Sequence, residues 1–415
     1  MKATTMTFRR FGLGIFAAGL LASAASSAFA QSAPASVAGS YRATAEVAGA
    51  EIPFRLDISG GGDHLHANFF DGARPTTPST GGAIEGDHVH IAFASYAATL
   101  DATLDGDRLD GVYVYGTHTI PIHAVKDRGP PPAPVAAPSI DGEWIVPTDS
   151  SKGEKAWRLI VHQTGDKVEA AILRIDGDTG TLNGRYQNGS FRLSHFAGER
   201  PALLEVTPQA DGALKLRLFD GGEPLDLTAL RSDAAAKLGL APDDPTRHTT
   251  VKDPSAPFAF AFPDLSGHVI SNTDPQFRGK VVVADVSGSW CPNCHDEAPF
   301  LQSLYAKYHA KGLEVVALDF EPGTQLADPQ RLRAFIQRYG LTYTVLLAGE
   351  PKEVHQKLPQ AVNLNAWPTT FFIGRDGRVR EAHVGFTSPG SGPRDAETKR
   401  DVEHLVQTLL AEPAP

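Results

Sequence analysis

The chain has 415 residues, 38 Lys+Arg against 48 Asp+Glu for a net charge of −10, and only two cysteines. The acidic balance argues against a polyanion such as nucleic acid as a partner. With both cysteines in one short motif, no structural disulfide staples distant parts of the chain, so stability must come from packed cores, and the length has room for two or three.

Residues 1–30 combine Lys2, Arg9 and Arg10 with an apolar stretch over 11–25 and the small-x-small triplet Ala28-Phe29-Ala30. This is the pattern of a secretory signal peptide, and the stretch falls short of the roughly 20 residues that span a bilayer. The paired arginines fit a twin-arginine signal poorly, and no cysteine follows to carry a lipid. Losing the three cations of this segment leaves 35 Lys+Arg against 48 acids, a net charge of −13. The expectation is a periplasmic or otherwise extracytoplasmic protein with no stable membrane span after cleavage.

Two β modules follow, over residues 37–127 and 139–231, divided by the proline-rich spacer 127–138. They look like copies of one unit. Gly39-Ser40-Tyr41 answers Gly142-Glu143-Trp144, Phe54-Arg55-Leu56 answers Trp157-Arg158-Leu159, Gly62-Asp63 answers Gly165-Asp166 and Gly86 answers Gly189, each at the same interval of 103 residues. Short alternating runs such as residues 167–173 and 213–218, separated by Gly/Asp/Asn turns, predict antiparallel strands in a sandwich or barrel. In the first copy His64 and His66, and again His88 and His90, would share one strand face. Two such pairs on neighbouring strands could hold copper or zinc, but a solvated polar face is the simpler account, and Lys167 and Glu169 of the second copy do not repeat the first pair. No metal is assigned.

A polar linker over 232–257, with Pro242, Pro245 and Pro254, leads into a domain over 257–415 that alternates strand and helix. The apolar run 281–286 precedes Trp290-Cys291-Pro292-Asn293-Cys294, a strand, a redox turn and a helix start. Free backbone N–H groups and the positive end of the helix dipole favour a thiolate at the first cysteine, so Cys291 is the expected nucleophile. Cys294 is then the resolving thiol that attacks a mixed disulfide on Cys291. A zinc site would need about four ligands, and no second cysteine pair exists to complete a sulfur-rich one; His295 is too close to help. A purely structural disulfide of so short a loop would stabilise little. Strands are predicted over 313–320, 343–347, 370–373 and 379–386 and a helix over 329–339, with a closing amphipathic helix over 395–411 that puts Val402, Leu405 and Leu409 on one face.

These motifs resemble the extracytoplasmic TlpA/ResA-like family of thiol-disulfide oxidoreductases, within the thioredoxin superfamily. The resemblance covers residues 257–415 and rests on the cysteine motif, on Glu297 and Pro299 in the following helix, on the lengthened segment 313–367, and on Trp367-Pro368-Thr369-Thr370-Phe371-Phe372. The fold expected is an α/β thioredoxin-like C-terminal domain, helices on both faces of its sheet, preceded by two duplicated all-β modules. The resemblance implies that Pro368 is cis and lies against the cysteines, so that the backbone of Trp367 can pair with an extended substrate beside Trp290. Two carboxylates, Glu297 and Asp285, are the candidates to take the proton of the resolving thiol; the competing readings are a solvated helix residue and a strand-end cap.

The function expected is disulfide exchange with cysteine-containing protein substrates, reductive in direction, with an unidentified redox partner and no cofactor. Two alternatives stand beside it. One makes the β pair the working part, a partner-, glycan- or metal-binding module with an accessory redox domain. The other is a peroxiredoxin-like peroxidase, which has a threonine three residues before its reactive cysteine where this chain has Gly288. On the main reading, the redox domain is expected to be complete in itself from Pro257.

Overall fold

A computed structural model describes residues 36–130 and 132–413; the signal-peptide reading of 1–30 lies outside them. The first β region is a nine-stranded antiparallel meander running from Gly39–Val47 to His118–Lys126, open between its edge strands Arg74–Pro78 and Gly81–Glu85. The second also has nine strands, from Gly142–Pro147 to Leu225–Arg231. It closes into a barrel because Ala156–Thr164 pairs with both Gly142–Pro147 and Lys167–Arg174. Each encloses its own apolar core, built on Leu56, Phe69, Ile91 and Tyr113 in the first and Leu159, Ile172, Phe191 and Leu216 in the second. The two units are tied to each other: buried Asp71 accepts from Thr181 N–H (2.5 Å) and Thr181 Oγ1 (3.0 Å).

The C-terminal sheet is built from β1 (Val281–Ser287), β2 (Leu313–Phe320), β3 (Thr344–Gly349), β4 (Thr369–Ile373) and β5 (Val379–Val384), in the order β3-β2-β1-β4-β5. The pairs β1–β2 and β2–β3 are parallel, whereas β4 runs antiparallel to β1 and to β5. Every residue of β1 is buried, which is why it reads as a continuous apolar run rather than an alternation. Val281 and Val283 face one core and Val282, Ala284 and Val286 the other. The three long helices, α1 (Pro292–Tyr308), α2 (Gln330–Tyr339) and α3 (Pro393–Ala411), all pack on the first of these cores. Helices are found on both faces, as expected, but unequally. The opposite face is covered by Phe258, Phe260, Phe262 and Phe277 and by the short helix Val354–Lys357.

The 232–257 linker is not simply extended. It holds helices Ser232–Lys237 and Pro245–His248, and Thr250–Val251 adds a strand to Ala361–Val362. The histidine pairs are exposed on the strands His64–Asp71 and His88–Phe93, which are not hydrogen-bonded neighbours. His90 is instead paired with Asp101, and among the described residues no group of three His, Cys, Asp or Glu side chains is arranged for a metal. No helix among the described residues is long and apolar enough to cross a membrane.

Candidate active site

Cys291 is the N-cap of α1 and Pro292 its first residue, where a missing N–H costs nothing. The Cys294 N–H donates to Cys291 Sγ (3.4 Å), so the first sulfur already takes one of the helix's free donors. The turn that delivers it is held from below. Ser289 N–H donates to Glu321 Oε1 (2.6 Å), and Arg331 binds both Glu321 Oε2 (2.7 Å) and Ser289 Oγ (2.9 Å), with Glu321 and Arg331 buried. A side chain at Gly288 would place its Cβ 2.4 Å from Trp290 Nε1, which itself donates to Phe320 O (2.8 Å). His295 is buried and its pKa lies well below the ordinary value through burial and then the charge of Arg338. The neutral ring donates from Nε2 to Ser289 O (2.9 Å) and accepts at Nδ1 from Tyr339 O–H (2.9 Å).

Both sequence-predicted carboxylates come together under the cysteines. Asp285 lies within β1 and Glu297 on the buried side of α1, each almost fully buried, which removes the strand-end cap and the solvated helix residue as readings. Glu297 Oε1 accepts from Thr370 Oγ1 (2.8 Å), while Asp285 Oδ1 and Glu297 Oε2 lack partners among the described residues. Burial pushes Asp285 up to about 7. Burial, and then the charge of Asp285, pushes Glu297 well above the carboxylate range. Two such neighbours cannot both ionise freely, so the pair is suited to hold or accept a proton near neutral pH. Burial also pushes the Cys294 thiol well up, reinforced by its hydrogen bond with Cys291 and by the charges of Cys291 and Asp285.

The Trp367–Pro368 peptide bond is cis, and Trp367 meets Trp290 edge to face at 5.5 Å. The structure thus sets Trp367 against Trp290, next to Cys291, and Asp285 and Glu297 together with the cysteine pair. The site also includes residues that the sequence did not suggest. From the barrel, Arg200 donates to Asn293 Oδ1 (2.9 Å), and Asn293 Nδ2 donates to Asp176 O. Gly177 forms a bridge with Phe386, and Asp178 Oδ2 accepts from Ser388 N–H (2.8 Å) and Ser391 Oγ (2.5 Å). From the first β unit, Tyr96 stacks on His295 (4.3 Å, 26°), and Arg338 of α2 donates to Ser95 Oγ (2.9 Å) and Thr76 O. Cys291 is 3% exposed. Both β units therefore reach the first turn of α1. The larger cavities, about 850 Å³ between the β units and about 600 Å³ between the barrel, the linker and α3, are not lined by either cysteine.

Residues 251–400 match the Redoxin family. The thiol-disulfide oxidoreductase ResA of Bacillus thuringiensis strain Al Hakam is 34% identical over 126 residues, 30% of this chain and 66% of that protein, so the chain spans just under two thirds of that relative. ResA of Bacillus thuringiensis subsp. konkukian is 34% identical over 152 residues, 36% of this chain and 74% of the relative. Among solved structures, a DsbE-type thiol:disulfide interchange protein from Chlorobium tepidum has 30% identity, covering 37% of this chain and 94% of that one at a TM-score of 0.30.

Proposed function

This chain belongs, through its C-terminal domain, to the TlpA/ResA-like family of thiol-disulfide oxidoreductases, and on that footing we propose that it is an exported reductase of disulfides in protein substrates. The proposed organisation is a signal segment over 1–30, β units over 37–127 and 139–231, and the redox domain over 257–415, working outside the cytoplasm. The observation that carries this reading is the placement of Cys291 at the α1 N-cap with Cys294 buried above Asp285 and Glu297.

In the proposed reaction the Cys291 thiolate attacks a substrate disulfide, forming a mixed disulfide and releasing one substrate thiol. Cys294 passes its proton to the Asp285–Glu297 pair and attacks Cys291 Sγ, which releases the second substrate thiol and leaves a Cys291–Cys294 disulfide. Two electrons have then passed to the substrate, and a dithiol donor must restore the pair. Trp290, Trp367 and Pro368 form the surface on which an extended substrate segment would lie.

The test is trapping. A Cys294→Ser protein should accumulate mixed disulfides on non-reducing gels, and Cys291→Ser should accumulate none. Equal trapping by both variants would remove the assignment of nucleophile and resolving thiol.

A further inference from the structure

A positive charge also reaches the dithiol motif from outside the redox domain. Arg200 sits in the turn between the barrel strands Ser190–His195 and Ala202–Pro208, and its Nη1 reaches across to Asn293, two residues after Cys291, while also donating to Asp178 O (2.5 Å). The turn it meets is fixed by close packing. Asn293 Nδ2 binds Asp176 O, and a Cβ on Gly177 (φ +115°) would lie 2.2 Å from Phe386 O and 2.3 Å from Asn293 Nδ2. Behind them Glu154 Oε1 accepts from Ile175 N–H (2.7 Å) and Lys152 pairs with Asp176. The guanidinium is thus held in one place by a rigid frame at the end of α1 where the first thiol sits.

We propose that Arg200 is a positioning residue of the redox site, supplied by the second β unit, which orients Asn293 and sets a fixed positive charge beside Cys291. This rests on the assignment of Cys291 as nucleophile and adds to it a reason for the β units: they complete the electrostatics of the motif. A fixed cation near a thiol stabilises the thiolate, and a guanidinium is charged at every working pH. Burial pulls the Arg200 pKa down, but the charges of Cys291, Asp176, Asp296 and Asp178 raise it overall, which fits a cation in contact with the motif. The titratable groups packed around the motif are Cys294, His295, Asp296 and Glu297 on α1, Asp285 on β1, Arg331 and Arg338 on α2, and Asp176, Asp178 and Glu199 on the barrel. His295 is neutral, Arg331 is engaged by Glu321 and Ser289 and Arg338 by Ser95 and Thr76, so Arg200 is the cation that bonds a side chain of the motif itself, at Asn293.

The test uses the full chain in a Cys294→Ser background, so that thiolate absorbance against pH reports Cys291 alone. The expected result is a midpoint that moves up by about one unit or more in Arg200→Gln, roughly a tenfold loss of thiolate below the midpoint, and is restored by Arg200→Lys. A Cys291 midpoint unchanged in folded Arg200→Gln overturns the inference, and leaves the nucleophile assignment standing where Cys294→Ser still traps substrates. A shift that Arg200→Lys fails to restore also overturns it, since the charge would then not be the cause. Absence of mixed-disulfide trapping by Cys294→Ser, before any change at Arg200, overturns the nucleophile assignment and the inference with it. Where Arg200→Gln does not fold by circular dichroism, Asn293→Ala releases Arg200 from the other side; an upward shift supports the inference and an unchanged midpoint overturns it.

Discussion

Tyr96 of the first β unit lies flat on His295 of the redox helix, ring centroids 4.3 Å apart and 26° from parallel. The imidazole beneath it holds Ser289 O, one residue before Trp290 and two before Cys291. A residue of the N-terminal half of the chain therefore packs directly on the scaffold of the dithiol turn. The β units and the redox motif form one packed assembly, and the following expectations come from that arrangement.

The docking of the barrel on α1 depends on Gly177. A Gly177→Val substitution meets both a positive φ and the Phe386 carbonyl, so it should loosen the contact at a stability cost of about 1–3 kcal/mol. Labelling of Cys291 by a bulky maleimide should then speed up about tenfold or more, because a residue that is 3% exposed gains access. Unchanged labelling in a folded variant would show that the barrel does not limit access.

Glu297→Gln keeps the size of the side chain and its contact with Thr370 but cannot take a proton. Resolution of the mixed disulfide should slow by about tenfold or more near pH 7, and Asp285→Asn should act in the same direction. Stopped-flow measurement across pH checks this. An unchanged pH–rate profile in the double variant would mean that solvent takes the proton.

Burial raises Glu199 from its ordinary 4.5 to about 8. The folded chain then holds this proton more tightly than the unfolded chain, so the stability linked to it is complete below about pH 4.5 and is lost as pH rises through 8. Asp285 and Asp296, raised to about 7 and about 8, add to the same slope. Glu199→Gln should therefore leave Tm nearly unchanged at pH 5 and raise it at pH 8 relative to the unaltered chain. Parallel pH dependences in the two proteins, followed by thermal melts, would contradict a raised Glu199.

The sequence carried the local part of this site because each piece has a local signature. An apolar run, a Cys-x-x-Cys turn and a Trp-Pro-Thr-Thr-Phe segment are legible at a few residues' range, and Glu297 is three residues from Cys294 on the same helix. The repeat of 103 residues likewise showed two β units before any strand was seen. Arg200 and Tyr96 were not legible, since nothing in strand periodicity sets which loop of a barrel meets a helix 93 residues further on. The support from Glu321 and Arg331 was hidden for the same reason: it joins a strand end to a separate helix. One signal was missed that could have been used. Asp244 followed by Pro245 is an N-cap and first-turn pair, and it starts the short helix inside what read as a plain linker.

The most direct test of the central claim, reductive disulfide exchange at Cys291 and Cys294, is an equilibrium redox titration of the full chain against thiol–disulfide buffers, read by alkylation of both cysteines. The expected result is a two-electron couple with a midpoint more negative than about −200 mV, in the range of proteins that donate electrons to substrate disulfides. A midpoint near about −120 mV, the range of strong extracytoplasmic oxidants, or no reversible couple at all, would contradict it.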